Sequence, residues 1–181
     1  HPSPNMLSAT ILSSASAGNG GREVKLHPLV LINISDHFTR ERVRDTTSEL
    51  YSSSERVAGV LFGVQTGKVV DVLESFEMSY EILDTGVLKF DEQFLSSKKR
   101  QFTAIFPNYE ILGWYTTGAT VLVSHLETHM AMTDLNPNPI MLTLDPHAED
   151  EDSLPVKILE TQVTGSGESV FVELDYKIDT L

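Results

Sequence analysis

Apolar positions recur at three- and four-residue spacing in some stretches of the chain and at two-residue spacing in others. After His27-Pro28, the run LVLINISDHFTR places Val30, Leu31, Ile34 and Phe38 on one helical face, with Pro28 where a first-turn proline is tolerated. The spacing predicts a helix over 28–43. The polar TTSELYSSSE that follows reads as a loop. VAGVLFGV and KVVDVLESFEM flank QTG and predict a hairpin, Gly67 supplying the permissive backbone of its turn. The first strand is apolar throughout and should lie centrally, covered on both sides. The second alternates, which puts Val70, Val72, Phe76 and Met78 on one face.

DEQFLSSKKRQFTAIFP carries acids in its first turn, bases later and Pro107 as a stop, so a second helix is predicted over 91–106 with Phe94, Leu95, Phe102, Ile105 and Phe106 on its apolar face. Strand ILGWY comes next, then a third helix over 124–135. Further strands are expected at PIMLTLD, at PVKILETQV and at ESVFVELDYKI, where Val170, Val172, Leu174, Tyr176 and Ile178 alternate cleanly. The acidic AEDED at 148–152 reads as a loop. Strands interleaved with about three helices give an α/β fold with a mixed sheet, in a single domain over 24–181. No G-x-G-x-x-G or P-loop pattern argues for a doubly wound nucleotide fold.

Residues 1–23 are rich in Ser, Ala, Gly and Asn, too polar to offset their ordering entropy, and are expected to form a flexible tail. HPSPN ahead of Met6 reads as a cloning remnant at 1–5. A secretory leader from Met6 fits less well, because MLSATILSSASA has no basic start and its apolar run is broken by Ser and Thr.

With 181 residues and 40% hydrophobic content, the chain can bury a core without disulfides or a structural metal, and it has no cysteine to make either a thiol nucleophile or a thiolate zinc site. A formal charge of −13 disfavours nucleic acid as a partner. Lys98, Lys99 and Arg100 are the one dense basic run and read as a solvated helix face. No apolar stretch is long enough to span a bilayer, so no membrane association is expected.

Candidate chemistry centres on SHLETH at 124–129. His125 and His129 are four apart on the predicted helix, and such a pair can share a metal. Glu127, however, follows the first histidine by two rather than one, about 200° round the helix, and points away from any ion the pair would hold. Ser124 and Glu127 instead have the spacing of a capping box, and the histidines read as surface or partner-facing residues with no third ligand near. No serine sits in a G-x-S-x-G turn. Asp71, Glu74, Glu77, Glu81 and Asp84 fall on a strand face and loop where exposed acids are ordinary. Asn33-Ile34-Ser35 lies inside the first helix and is an accidental glycosylation sequon.

LHPLVLINISDHFTR, RVAGVLFGVQTGKVVDVLESFEM, FPNYEILGWYTTG and DSLPVKILE together resemble the MPN domain, also called the JAB or JAMM-like domain. The resemblance runs from about Val24 to the end and is closest to the non-catalytic type that forms subunit six of the COP-nine signalosome. Sister families in the proteasome lid and in translation initiation factor three share part of these motifs. The resemblance implies that this is the MPN domain alone, ending before the family's C-terminal helices. It also implies a scaffold in the cytoplasm and nucleus, paired with the signalosome's catalytic MPN subunit, in a complex that removes a ubiquitin-like modifier from cullins and so regulates cullin-RING ubiquitin ligases.

Active members of that family carry H-S-H-P after G-W-Y and then S-x-x-D, two His and the Asp holding zinc, with a Glu three residues before the strand glycine. In this chain Thr116 and Gly118 stand at the histidine positions, Ser124 and Glu127 at the ends of S-x-x-D, and Arg56 at the general base. A cation about 5 Å from a dication would cost several kcal/mol at an effective dielectric of about 20. Sliding the register by one restores Glu55 but turns it to the other sheet face. The resemblance therefore implies no zinc, no cofactor and no isopeptidase activity. A divergent hydrolase built on His125, His129 and Glu127 is the competing reading.

Overall fold

A computed structural model describes residues 7–13, 21–45, 56–147 and 155–179. Eleven strands and three α-helices follow one another as β1 (Ile11–Leu12), β2 (Glu23–Leu26), α1 (Pro28–Asp45), β3 (Ala58–Thr66), β4 (Val69–Glu77), β5 (Tyr80–Ile82), β6 (Leu88–Phe90), α2 (Glu92–Ile105), β7 (Glu110–Thr117), α3 (Val123–Ala131), β8 (Ile140–Leu144), β9 (Val156–Val163), β10 (Ser169–Leu174) and β11 (Tyr176–Ile178). A 3-10 turn, Met132–Asp134, extends α3. The result is the expected α/β domain with a mixed sheet and three helices.

Nine strands form one sheet in the order β1-β10-β9-β8-β7-β3-β4-β2-β11, and β5 and β6 form a separate hairpin. β3 lies between β4 and β7, and its first six residues are buried, as an unbroken apolar strand should be. β10 and β11 are separated by Asp175 alone yet stand near opposite ends of the strand order, so the sheet curls until one bent strand serves both ends. The single strand expected over 168–178 is thus two, because Leu174 pairs with Ile158 of β9 whereas Tyr176 pairs with Val24 of β2. Arg22 ties the curl with an ion pair to Glu160 at 2.9 Å.

One core lies under α1, where Val30, Ile34 and Phe38 meet Val24, Leu26, Leu61, Val70, Val72 and Leu112; the second lies on the opposite face, where Leu95 of α2 meets Phe62, Phe76, Ile111 and Trp114. β4 contributes to both. Phe62 pairs with Glu74 and Gly63 with Val72, so Leu73 is an extra residue, and a β-bulge there reverses the alternation. Val70 and Val72 consequently face α1, while Phe76 and Met78 face the other side, which corrects the expectation of a single face. A second bulge at Leu112 does the same for β7.

α2 starts one residue later than predicted, with the Asp91 carboxylate accepting from the Phe94 amide at 3.0 Å, a cap generally worth about 1 kcal/mol. Its last turn differs: Ile105 is 71% exposed, so the apolar face of this helix ends at Phe102. Lys99 and Arg100 are exposed, and Lys98 lies 5.6 Å from the centre of the Phe94 ring. Between Leu7 and Ser13 the expected flexible tail is instead part of the fold, since β1 pairs in parallel with β10 and Ser8 bridges to Leu122. The predicted loops at 46–55 and 148–152 lie outside the described residues, as do residues 1–6 and 14–20. Among the described residues no helix is long and apolar enough to cross a membrane.

Candidate functional site

β7 and β8 run parallel, and α3 is the crossover between them. The chain therefore leaves β7 at Thr117, turns through 118–122 and enters α3 beside the start of the antiparallel neighbour β3. Carboxyl ends of strands next to a helix N-terminus are where α/β folds commonly place ligands. Arg56, Thr116, Gly118, Ser124 and His125 converge there.

Each side chain has a defined task. The Thr116 hydroxyl donates to the Val57 carbonyl at 2.8 Å, and the Thr117 hydroxyl accepts from the Val57 amide at 3.0 Å, so β7 binds both backbone groups of the residue before β3. Arg56 donates to the Thr117 carbonyl through Nη1 and to the Thr120 carbonyl through Nη2, both at 3.2 Å. Gly118 has φ +139°, a conformation that disfavours a side chain, and a Cβ there would lie 2.6 Å from Nη1 of Arg56.

α3 begins one residue earlier than predicted, at Val123, with Leu122 in the capping position. Ser124 is buried and Glu127 is exposed, so they do not form the expected capping box. His125 reaches back instead: its Nδ1 accepts from the Leu122 amide at 3.0 Å, while the Val123 amide is met by the Leu7 carbonyl at 2.8 Å. The leading segment that looked like a tail thus caps the helix.

Both histidines are core residues, which corrects their surface reading: His125 is 3% exposed and His129 0%. The Nδ1 of His129 accepts from the Trp114 indole N–H at 3.0 Å. Backbone amides and indoles only donate, so in each neutral ring the single lone pair is at Nδ1 and the proton is on Nε2. Burial above all lowers His125 to about 3, the Arg56 charge acting in the same direction. His129 is lowered to about 4, again chiefly by burial, against the pull of the Pro139 carbonyl.

On the other face of the sheet, His37 of α1 is also buried. Its Nδ1 lies 2.8 Å from the Tyr115 hydroxyl and its Nε2 lies 3.9 Å from a Glu77 carboxylate oxygen. Arg40 pairs with both Glu77 and Asp36. The Tyr115 ring covers Gly59 so closely that a Cβ there would lie 2.2 Å from it, which is why β3 carries glycine at that point. A cleft of about 570 Å³ lined by His37, Glu41, Arg56, Glu77 and Tyr80 joins the two regions.

Residues 19–138 match the family described as JAB1/Mov34/MPN/PAD-1 ubiquitin protease. The chain belongs to this family. It is 41% identical over 168 residues to COP9 signalosome complex subunit 6 of Dictyostelium discoideum, covering 91% of this chain and 52% of that protein. It is 35% identical over 180 residues to the subunit 6 of Oryza sativa subsp. japonica, with 93% and 54% covered, and 33% identical over 187 residues to subunit 6b of Arabidopsis thaliana, with 92% and 57% covered. The chain spans about half the length of these relatives.

A hydrolytic zinc needs three protein donors and an open position, and the residues of this MPN domain do not fit one. The Thr116 hydroxyl, which donates to Val57, is a neutral oxygen and not one of the Cys, His or carboxylate donors zinc takes, Gly118 has no side chain, and Glu127 is exposed on α3. His125 and His129 hold no spare lone pair. Among the described residues no group of three His, Asp or Glu side chains could hold a metal ion. The residues that sequence reasoning missed as site components are Val57, Thr117, Thr120 and Trp114. GWYTTG gave no sign that its second threonine and its tryptophan serve as partners, because those partners arrive from β3 and α3.

Proposed function

We propose that this MPN domain is the non-catalytic MPN subunit of a COP9-type signalosome and works by binding rather than by hydrolysis. Its partner on this reading is the catalytic MPN subunit of the same complex, and its role is to support removal of a ubiquitin-like modifier from cullins, in cytoplasm and nucleus, so regulating cullin-RING ubiquitin ligases. The observation that carries the reading is the Arg56 guanidinium seated against Gly118, at the positions where the family resemblance puts the general base and a zinc ligand. A cation there opposes a dication. The names of the relatives support the choice of complex.

A hydrolase built on His125, His129 and Glu127 is disfavoured by the lone pairs both rings have committed and by the outward position of Glu127. The test is co-expression of the 181-residue chain with the catalytic MPN subunits of the signalosome and, separately, of the proteasome lid and the initiation factor. Stable co-purification with the signalosome subunit is expected. Association with one of the other two in its place moves the domain to that complex. Zinc bound in one-to-one ratio by the desalted domain would overturn the non-catalytic reading.

A further inference from the structure

We propose that Arg56 is a built-in cation that clamps the turn between β7 and α3 and fills the space in which a metal ligand would stand. Three observations carry it. The guanidinium donates to the Thr117 and Thr120 carbonyls at 3.2 Å, one on each side of Gly118, so one planar fork ties the end of β7 to the middle of the turn. A side chain at 118 would overlap it, with a Cβ lying 2.6 Å from Nη1, 2.8 Å from Cζ and 3.1 Å from Nη2. The Nη1 of Arg56 also lies 3.3 Å from Nε2 of His125.

That last contact joins two donors, because the His125 lone pair already faces the Leu122 amide. It is a close approach to a neutral ring that adds no hydrogen bond, and an imidazolium in its place would set two cations side by side. The fork therefore imposes two conditions on the turn. Residue 118 must lack a side chain, and His125 must stay neutral. Both conditions run against a zinc site, which requires a ligand at 118 and a free lone pair on histidine. In place of a metal drawing β7 and α3 together, a side chain from the start of β3 holds the turn between them.

The metal-excluding half of this inference rests on the proposed assignment of position 118 as a vacated ligand position; the clamp stands on the distances alone. Hydrogen exchange of the 181-residue chain separates the two. The reporters are the amides of Gly118, Leu122 and Val123, whose acceptors are the Leu144 carbonyl, His125 Nδ1 and the Leu7 carbonyl. In Arg56→Ala these three should exchange about tenfold faster or more, as expected when two modest hydrogen bonds are lost. Amides of β4 and β9 should keep their rates.

Arg56→Lys retains the charge but reaches one carbonyl, so it should restore less than half of the protection. Unchanged exchange at the three amides in Arg56→Ala overturns the clamp. An equal rise in β4 and β9 overturns it too, since Arg56 would then be a general stabiliser. If Arg56→Ala does not fold, Arg56→Lys decides: full protection in the lysine variant refutes the fork, and a loosened turn with a quiet β4 supports it. Failure of partner binding leaves these rates untouched, so the clamp and the proposed complex fail separately.

Discussion

The two faces of the sheet treat buried histidine differently. On the α3 side, His125 and His129 each accept from a group that can only donate, so their tautomers are dictated and their basicity is spent inside the fold. On the α1 side, His37 meets a tyrosine hydroxyl that can donate or accept, and beyond it a half-exposed carboxylate that Arg40 also holds. The first arrangement fixes geometry. The second can trade protons and partners at small cost. What matters for a ligand is thus the donor or acceptor standing opposite each ring nitrogen, and a histidine count along α3 misleads.

Acid is the strongest way to break this contrast. His125 is lowered to about 3 and His129 to about 4 from the usual 6.5, so the unfolded chain binds protons that the folded chain refuses. Stability is complete above about pH 6.5 and falls as pH drops toward those folded values. By pH 5 each ring costs about 2 kcal/mol. His37 is lowered by burial as well and adds in the same direction. Urea unfolding at pH 7 and pH 5 should show the loss, and His125→Asn, whose side-chain oxygen can still accept from the Leu122 amide, should remove about 2 kcal/mol of it. If His37→Gln flattens the profile more than His125→Asn does, the contrast between the faces is wrong.

Elements with their own periodicity were legible in the sequence. α1, the β3–β4 hairpin, α2 and β8 each announce themselves by spacing, a turn glycine or a cap, all within a few residues. What the sequence hid depends on distant partners. A bulge at Leu73 is a matter of register between two strands, and LESFEM alternates as well without it as with it. The EVKL of β2 is too short to stand out, and it is a strand because β4 and β11 flank it. Ser8 and Ala9 look like tail residues until Val121 and Leu122 are brought beside them. For the site, the motif resemblance singled out Arg56, Thr116 and Gly118, and the structure brings Arg56 against Gly118. The fates of His125 and His129 could not be read, because Trp114 and the chain turn at Leu122 choose their tautomers.

Gly118 offers a smaller and more local test. Alanine there meets both a backbone conformation that disfavours Cβ and the Arg56 guanidinium. A cost of about 1–3 kcal/mol is expected for such a residue. In an Arg56→Ala background the steric part disappears and the backbone part stays, so the two substitutions should couple by about 0.5–3 kcal/mol in a double-mutant cycle. Thermal or urea unfolding of the four proteins measures it. Additive costs would mean that the guanidinium can swing away freely and that the α3 side is no more rigid than the α1 side.

The smallest effect should come from Glu77 on the α1 face. Its carboxylate is 45% exposed and Arg40 is 51% exposed, and pairs this open to water are worth about 0–1 kcal/mol. Burial works to raise the Glu77 carboxyl, but the Arg40 hydrogen bond and the neighbouring charges outweigh it and leave it lowered. The pair's contribution is therefore present above the ordinary carboxylate range and fades only in acid. Glu77→Gln at pH 7 should cost no more than about 2–4 °C in melting temperature. It also removes the charge that favours protonated His37, so the His37 titration followed by NMR should move further down. A large loss of stability with no movement of His37 would show that the carboxylate is a structural strut for Tyr115 and α1, and the supposedly yielding face would then be as fixed as the one behind α3.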